Sequence, residues 1–268
     1  MSTFPWQADL YHCPDGGWSL LICDAAGTIR WQQRVKNQDL SPQWLENQLH
    51  QLQQREAIPG LRIFRPDCLP WFEKVCQQRQ IQWEASRHTP ALKALLKQNF
   101  GAQAIQLVSP PPQPLPDFLL GEKWQFLAIA AQDLPLAFAE SPSRYYVIPD
   151  ELMPLNLGLA ADCPIPGVMI YGGQHSRRLG AWLAENRPMN LIFTASNPDE
   201  SGGLVLGTGL IGRWIIATFT DPQMATAAAV FQKRQHQANG LHFLWVQPDE
   251  AGTTNTGIWL LRRYFDEG

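Results

Sequence analysis

Residues 240–261, G-L-H-F-L-W-V-Q-P-D-E-A-G-T-T-N-T-G-I-W-L-L, constrain this chain more than any other stretch. Two apolar runs, residues 241–246 and 258–261, flank a polar segment whose Pro248, Asp249, Gly252, Asn255 and Gly257 are turn residues. The spacing predicts a terminal β-hairpin with a long loop. Apolar side chains occupy both alternation phases of the first run: Leu241, Phe243 and Trp245 in one, Leu244 and Val246 in the other. A strand apolar on both faces must be covered on both faces, which predicts a central place in its sheet. His242 and Trp245 are then parts of a covered strand rather than a site.

Upstream, the sharpest break is residues 109–116, S-P-P-P-Q-P-L-P, with five prolines in eight residues. Such a run favours extended polyproline geometry and is expected as a semi-rigid spacer outside either core. It divides the chain into an N-terminal domain, residues 1–108, and a C-terminal domain, residues 117–268. In the first, strands are expected at 7–13, 18–24 and 28–35, punctuated by Asp15-Gly16-Gly17 and by residues 24–27. Ser41-Pro42 opens a helix with one stripe of Leu45, Gln48, Leu49 and Leu52. A strand at 61–64, a helix through Leu69, Phe72, Val75 and Cys76, a strand at 81–85 and a helix after Thr89-Pro90 complete the order βββαβαβα. That is the order of the ribonuclease H-like fold. In the second domain, strands are expected at 124–130, 145–148, 168–171, 191–194, 204–206 and 214–219. Helices are expected around Leu179 and Leu183 and from Asp221-Pro222 through Phe231. The fold class is α+β in two domains, the second a mixed α/β domain closed by the hairpin.

The formal charge of −3 is unevenly placed. Residues 1–108 carry 11 Lys+Arg against 9 Asp+Glu, net +2, and residues 117–268 carry 10 against 15, net −5. Neither half has the basic excess of a protein that holds nucleic acid mainly by phosphate neutralisation. A nucleic-acid role must rest on a local patch. No run approaches the ~20 uninterrupted apolar residues of a membrane span, and residues 209–219 are interrupted by Arg213. No signal-peptide pattern precedes Trp6. The five cysteines include no C-x-x-C pair, which fits a reducing compartment. A cytoplasmic protein is expected.

Several constellations bear on chemistry. Residues 207–212 match G-x-G-x-x-G, but a dinucleotide site needs a helix to begin there, and a β-type run, residues 214–219, follows instead. A glycine-rich hairpin turn is the better reading. Asp9, Glu46 and Asp67 sit where ribonuclease H-like nucleases place metal-binding acids, which clamp the attacking and leaving oxygens through two cations. The set is incomplete, because Ser86-Arg87-His88-Thr89 follows the fifth strand where a fourth acid would stand, and Asp67 also suits a helix N-cap. Arg62, Arg65, Arg87 and His88 lie at the ends of two neighbouring strands, with Lys93 and Lys97 on the next helix. Parallel pairing would bring Arg65 and Arg87 to one edge as a phosphate-contact patch. Arg177 and Arg178 follow a strand and the Gly172-Gly173 turn at a helix start, which suits an oxyanion. Among eleven tryptophans, Trp31 and Trp214 stand near arginines and are the candidates for exposed stacking platforms. The six histidines show no ligand spacing, so no metal site and no cofactor are assigned.

The chain also resembles the Tab-type RNA-binding proteins of cyanobacteria and chloroplasts. The resemblance runs over residues 6–10 (W-Q-A-D-L, similar to the family's W-E-L-D-F), 18–24, 61–66 (L-R-I-F-R-P), Ser86-Arg87, 115–126 (L-P-D-F-L-L-G-E-K-W-Q-F), Ile165-Pro166-Gly167 and the closing hairpin. It implies RNA binding without catalysis, acting on the A/U-rich leader of a photosystem mRNA, in translation and photosystem biogenesis, with protein partners in assembly. In the family the position of Asp67 is not typically acidic, which weakens the nuclease alternative. Gln7 replaces an acid, and no transit peptide is visible, which suggests a bacterial cytosolic relative. The remaining alternative is a protein-interaction scaffold using the acidic C-terminal domain.

Overall fold

The computed structural model describes residues 6–139, 143–197, 201–252 and 254–265. The chain divides into two compact units, one ending at Val108 and one running Ser109–Phe265. The first contains β1 (Trp6–His12), β2 (Gly17–Asp24), β3 (Ile29–Lys36), α1 (Pro42–Arg55), β4 (Leu61–Ile63), α2 (Leu69–Arg79), β5 (Trp83–Ala85) and α3 (Pro90–Phe100). Its sheet has the order β3-β2-β1-β4-β5. The first three strands pair antiparallel, and β1–β4 and β4–β5 pair parallel.

Alternation along β1 sorts its residues between two layers. Ala8 and Leu10 pack with Leu45, Leu49 and Leu52 of α1 and with Phe72 and Val75 of α2. Tyr11 joins Leu21 and Phe64 against Leu92 and Leu96 of α3. Gln7 and Asp9, in phase with Tyr11, therefore face α3. Local signals start the helices. The Ser41 hydroxyl accepts the Trp44 N–H at 3.1 Å, with Pro42 in the first turn of α1. For α3 the cap comes from a distance: the Gln7 side-chain carbonyl accepts the Leu92 N–H at 2.9 Å, while Thr89 makes no side-chain cap bond.

The second unit contains β6 (Gln113–Pro114), β7 (Lys123–Ala130), α4 (Leu134–Ala139), β8 (Ser143–Val147), β9 (Pro164–Tyr171), α5 (Ser176–Asn186), β10 (Pro188–Asn197), β11 (Ser201–Thr208), β12 (Gly212–Phe219), α6 (Pro222–Gln237), β13 (Leu241–Gln247) and β14 (Asn255–Arg262). They build two mixed sheets, β10-β11-β12-β6 and β7-β9-β13-β14-β8. Part of the proline run belongs to this unit. Gln113 and Pro114 pair with Trp214 and Ile215, and Leu115 is buried in the core. A proline fits there because β6 is an edge strand, where a missing N–H leaves no ladder bond unmade. The G-x-G-x-x-G segment is the β11–β12 hairpin turn, with Thr208 opposite Gly212 and Gly209 at φ 53°.

The terminal hairpin forms as the alternation requires, and β13 is the middle strand of five. Leu244 and Val246 enter the core shared with Leu179 and Leu183 of α5 and Phe231 of α6. Leu241 and Phe243 enter a second core with Leu134 and Phe138 of α4. A β-carbon on Gly167, opposite Phe243, would lie 2.3 Å from its ring, so glycine is what lets the ring cross β9.

Candidate functional site

The parallel pairing of β4 with β5 brings Arg62 opposite Glu84. Arg62 Nε donates to the Glu84 carboxylate at 2.6 Å, and its Nη1 reaches across to the His88 carbonyl at 3.0 Å. On the other side, Lys93 Nζ donates to the Arg87 carbonyl and lies over the Phe64 ring at 5.1 Å. The Ser86 hydroxyl accepts the His88 N–H at 3.0 Å, and the Ser86 N–H continues the ladder to the Ile63 carbonyl. Two cations thus hold residues 86–89 from within. The loop they fix carries Arg87 and His88, both half-buried, at the carboxyl end of the parallel strands.

Arg65 has a different destination from the one expected. Its side chain is 12% exposed and makes three donor contacts to the wholly buried Asp9 carboxylate: Nε at 3.1 and 3.2 Å and Nη2 at 2.8 Å. Nη2 also donates to the Ala104 carbonyl at 2.7 Å, and the guanidinium lies 5.1 Å from the Tyr11 ring. Burial pushes the Asp9 carboxyl above its ordinary value, and the Arg65 charge and hydrogen bonds pull against that rise. For Arg65, burial disfavours the cation, but the charge of Asp9 and its hydrogen bonds hold it above its ordinary value. The planar fork matches the carboxylate, so the pair satisfies itself. Arg65 and Lys93 both donate to internal partners, and both side chains are largely buried.

The acids proposed as metal ligands do not assemble. Asp9 faces α3, whereas α1, which carries Glu46, packs on the opposite face of the sheet. Glu46 accepts from Gln43 Nε2 at 3.0 Å within its own helix. Asp67 is exposed in a single 3-10 turn, and the residue in the N-cap position of α2 is Cys68. Among the described residues no group of three or more His, Cys, Asp or Glu could hold a metal ion.

Lys97 is half-buried on α3, and Arg177 and Arg178 are exposed in the first turn of α5, in the other unit. Trp31 is buried, its indole N–H donating to Gln48 at 3.2 Å with Arg55 4.7 Å over its ring, so it is no open platform. Trp214 is half-buried, bonded to the Thr208 hydroxyl and edge-on to Trp182. His242 is structural. Its Nε2 accepts the Leu191 N–H at 2.8 Å, which leaves Nδ1–H to donate to the Gly240 carbonyl at 2.8 Å. Burial pushes its pKa down to about 4.

Sequence spacing missed Gln7 as the cap of α3 and the Arg62 and Lys93 bonds to backbone carbonyls. Each joins residues whose separation carries no periodic signal. The one local cue for Gln7 was its phase on β1, shared with Asp9.

Two family models match the chain in order. The model described as RNA-binding protein Tab2/Atab2 N terminal matches residues 5–99, and that described as RNA-binding protein Tab2/Atab2, C-terminal domain, matches residues 102–262. The chain is 24% identical over 263 residues to a protein of Arabidopsis thaliana named Protein TAB2 homolog, chloroplastic, covering 91% of this chain and 69% of the relative. It is 24% identical over 269 residues to the Zea mays protein of the same name, covering 91% and 66%. The chain thus spans about two thirds of the length of these relatives. No solved structure matches it.

Proposed function

The chain belongs to the Tab2/Atab2 family of RNA-binding proteins, and from that premise we propose that it is a non-enzymatic RNA-binding protein. The observation that carries the reading is that both family models match, in chain order, across both units. The proposed RNA is the single-stranded A/U-rich leader of a photosystem mRNA. The proposed role is support of photosystem translation and assembly, in the cytoplasm. No described helix is long and apolar enough to cross a membrane.

The first unit is, in this reading, a ribonuclease H-like domain put to binding. The βββαβαβα order, the β3-β2-β1-β4-β5 sheet and the two parallel pairs support that assignment. The neutralised Asp9 supports binding over cleavage, since a carboxylate held by Arg65 has its acceptor sites filled before any cation arrives. Arg87 and His88 are assigned to the RNA, and Arg62 and Lys93 to the loop that presents them. Lys97, Arg177 and Arg178 remain as outer contacts.

The test is fluorescence anisotropy of the full chain with a labelled A/U-rich single strand over a salt series. Wild type is expected to bind with an affinity that falls with salt. Arg87→Ala is expected to lower the slope of log K against log salt by about 0.7, one phosphate contact on a single strand. An unchanged slope and affinity would remove this loop from the interface.

A further inference from the structure

The end of the second unit gathers a set of charges that the reading above leaves unused. Helix α6 closes on Arg234 and His236, and Asn239 and Gly240, both at positive φ, turn the chain into β13. The glycine is required, because a β-carbon at Gly240 would lie 1.9 Å from the Arg263 carbonyl oxygen. Strand β14 returns beside β13 and ends with Arg262 opposite Leu241, so the strand end and the helix end meet at one corner. Arg262 Nε donates to the Asn239 carbonyl at 3.1 Å, which ties the two.

Beyond that point the chain lays out flat groups. Arg262 lies 5.1 Å over the Tyr264 ring, and Arg263 lies 5.2 Å over the Phe265 ring. The Phe265 ring, 38% exposed, also stacks on His236 with centroids 3.8 Å apart and planes 11° from parallel. Cations at the end of α6 complement the helix dipole, which accounts for Arg234. Nothing of that kind accounts for the strand residues. No acidic side chain among the described residues pairs with Arg234, Arg262 or Arg263. Asp221 stands at the far end of α6, about 24 Å away by helical rise. Asp249 and Glu250 lie at the opposite end of the hairpin, about 20 Å away by strand rise. Asp150 and Glu151, in the turn that follows β8 beside β14, and Asp162, next to Cys163 whose thiol reaches the Gln237 carbonyl, stand nearer, and among the described residues no ion pair joins them to these arginines. Burial lowers the pKa of Arg263, as expected of a half-buried cation without a counter-charge.

We propose that this corner of the second unit is a seat for single-stranded RNA, with Arg262 and Arg263 on phosphates and the His236–Phe265 stack under a base. Exposed flat rings beside guanidinium groups to which no described acid is paired are the chemistry by which unpaired nucleotides are held. The inference rests on the RNA-binding reading and adds to it a second contact region, on the net-acidic half of the chain, that overall charge would not have selected.

The experiment uses the full chain and the same labelled strand, with Arg262→Met/Arg263→Met and, separately, Phe265→Leu. The double variant is expected to lower the salt slope by about 1.4, two phosphate contacts. Phe265→Leu is expected to weaken binding about five-fold or more at unchanged slope, through lost stacking. Arg263→Met alone is expected to keep or raise the melting temperature, since it removes a half-buried charge that no described acid compensates, so lost affinity cannot be assigned to unfolding. Wild-type affinity and slope in all the variants would overturn the proposal, leave the RNA-binding reading standing and give the corner to an acidic protein surface. Absence of binding by the wild-type chain would overturn that reading, and the proposal with it.

Discussion

The two units carry their arginines in opposite ways. In the first, Arg65 is drawn onto a buried carboxylate of the middle strand, and Arg62 and Lys93 spend donors on the carbonyls of the loop beside them. In the second, Arg262 also donates to a carbonyl, that of Asn239, but neither it nor Arg263 pairs with an acid among the described residues, and both lie over aromatic rings that remain partly open. The first unit is the net-positive half of the sequence and the second the net-negative half. On the proposed assignment of the 262–265 corner, net charge would not have selected that surface as a phosphate seat. What decides availability is whether the fold supplies a counter-charge within a few ångströms, and that is a property of strand register.

Breaking the Asp9–Arg65 pair is the largest perturbation this contrast offers. Arg65→Met leaves a fully buried carboxylate facing Tyr11 and Phe64, and removal of one partner of a buried pair costs about 3–5 kcal/mol. Urea unfolding of the first unit should show that loss. Asp9→Leu/Arg65→Met should recover much of it, because no uncompensated charge remains. A stable Arg65→Met chain that has lost RNA affinity would mean Arg65 serves the surface after all, and the contrast between the units would fail.

The second unit has its own buried polar group, but a neutral one. His242 accepts the Leu191 N–H, so a proton on Nε2 would set two donors against each other inside the core, with Arg263 adding its repulsion. The folded pKa of about 4 lies below the ordinary value of 6.5. Between those values the unfolded chain binds a proton that the folded chain does not, so stability is fully present above about pH 6.5 and is lost as pH falls toward 4. The expected loss is about 3 kcal/mol. His242→Gln, which keeps an acceptor in reach but does not titrate, should lower stability at neutral pH and flatten this part of the profile. An equally steep profile in the variant would assign the acid sensitivity elsewhere.

The difference between the units also marks what the sequence could reveal. Strand phase was legible: the doubly apolar pattern of residues 241–246 specified a middle strand, and β13 is one. Helix starts with their own caps, Ser41-Pro42 and Asp221-Pro222, were legible because the bonded atoms lie within three residues. Helix α4 escaped notice, as six residues reading L-P-L-A-F-A are too short to show a helical period. Strand β6 escaped because its partner, Trp214, lies a hundred residues away and its own residues are proline-rich. Trp31 was misplaced for a related reason. Its strand is otherwise largely exposed, and the packing of α1 covers it, with Gln48 bonded to the indole and Arg55 over the ring. The candidate residues were found by type and strand end, but the partner of each cation was set by pairs 6 to 56 positions apart. No spacing rule encodes such pairs.

Lys93 gives the smallest effect and the finest test. Read by type it is a phosphate contact; read by its bonds it is a strut, 6% exposed, over Phe64 and beneath the Arg87 carbonyl. Lys93→Met keeps the apolar stem and similar volume while removing the donor. The Arg87 carbonyl retains the Thr89 N–H at 2.9 Å, so the cost should stay near about 1 kcal/mol. A strut acts on RNA only by steadying residues 86–89. Affinity should then fall a few-fold while the salt slope stays at its wild-type value, because no counterion is released at Lys93. A phosphate contact would lower the slope by about 0.7 instead. The slope, and not the affinity, therefore decides whether the first unit's cations face the core or the strand they are supposed to hold.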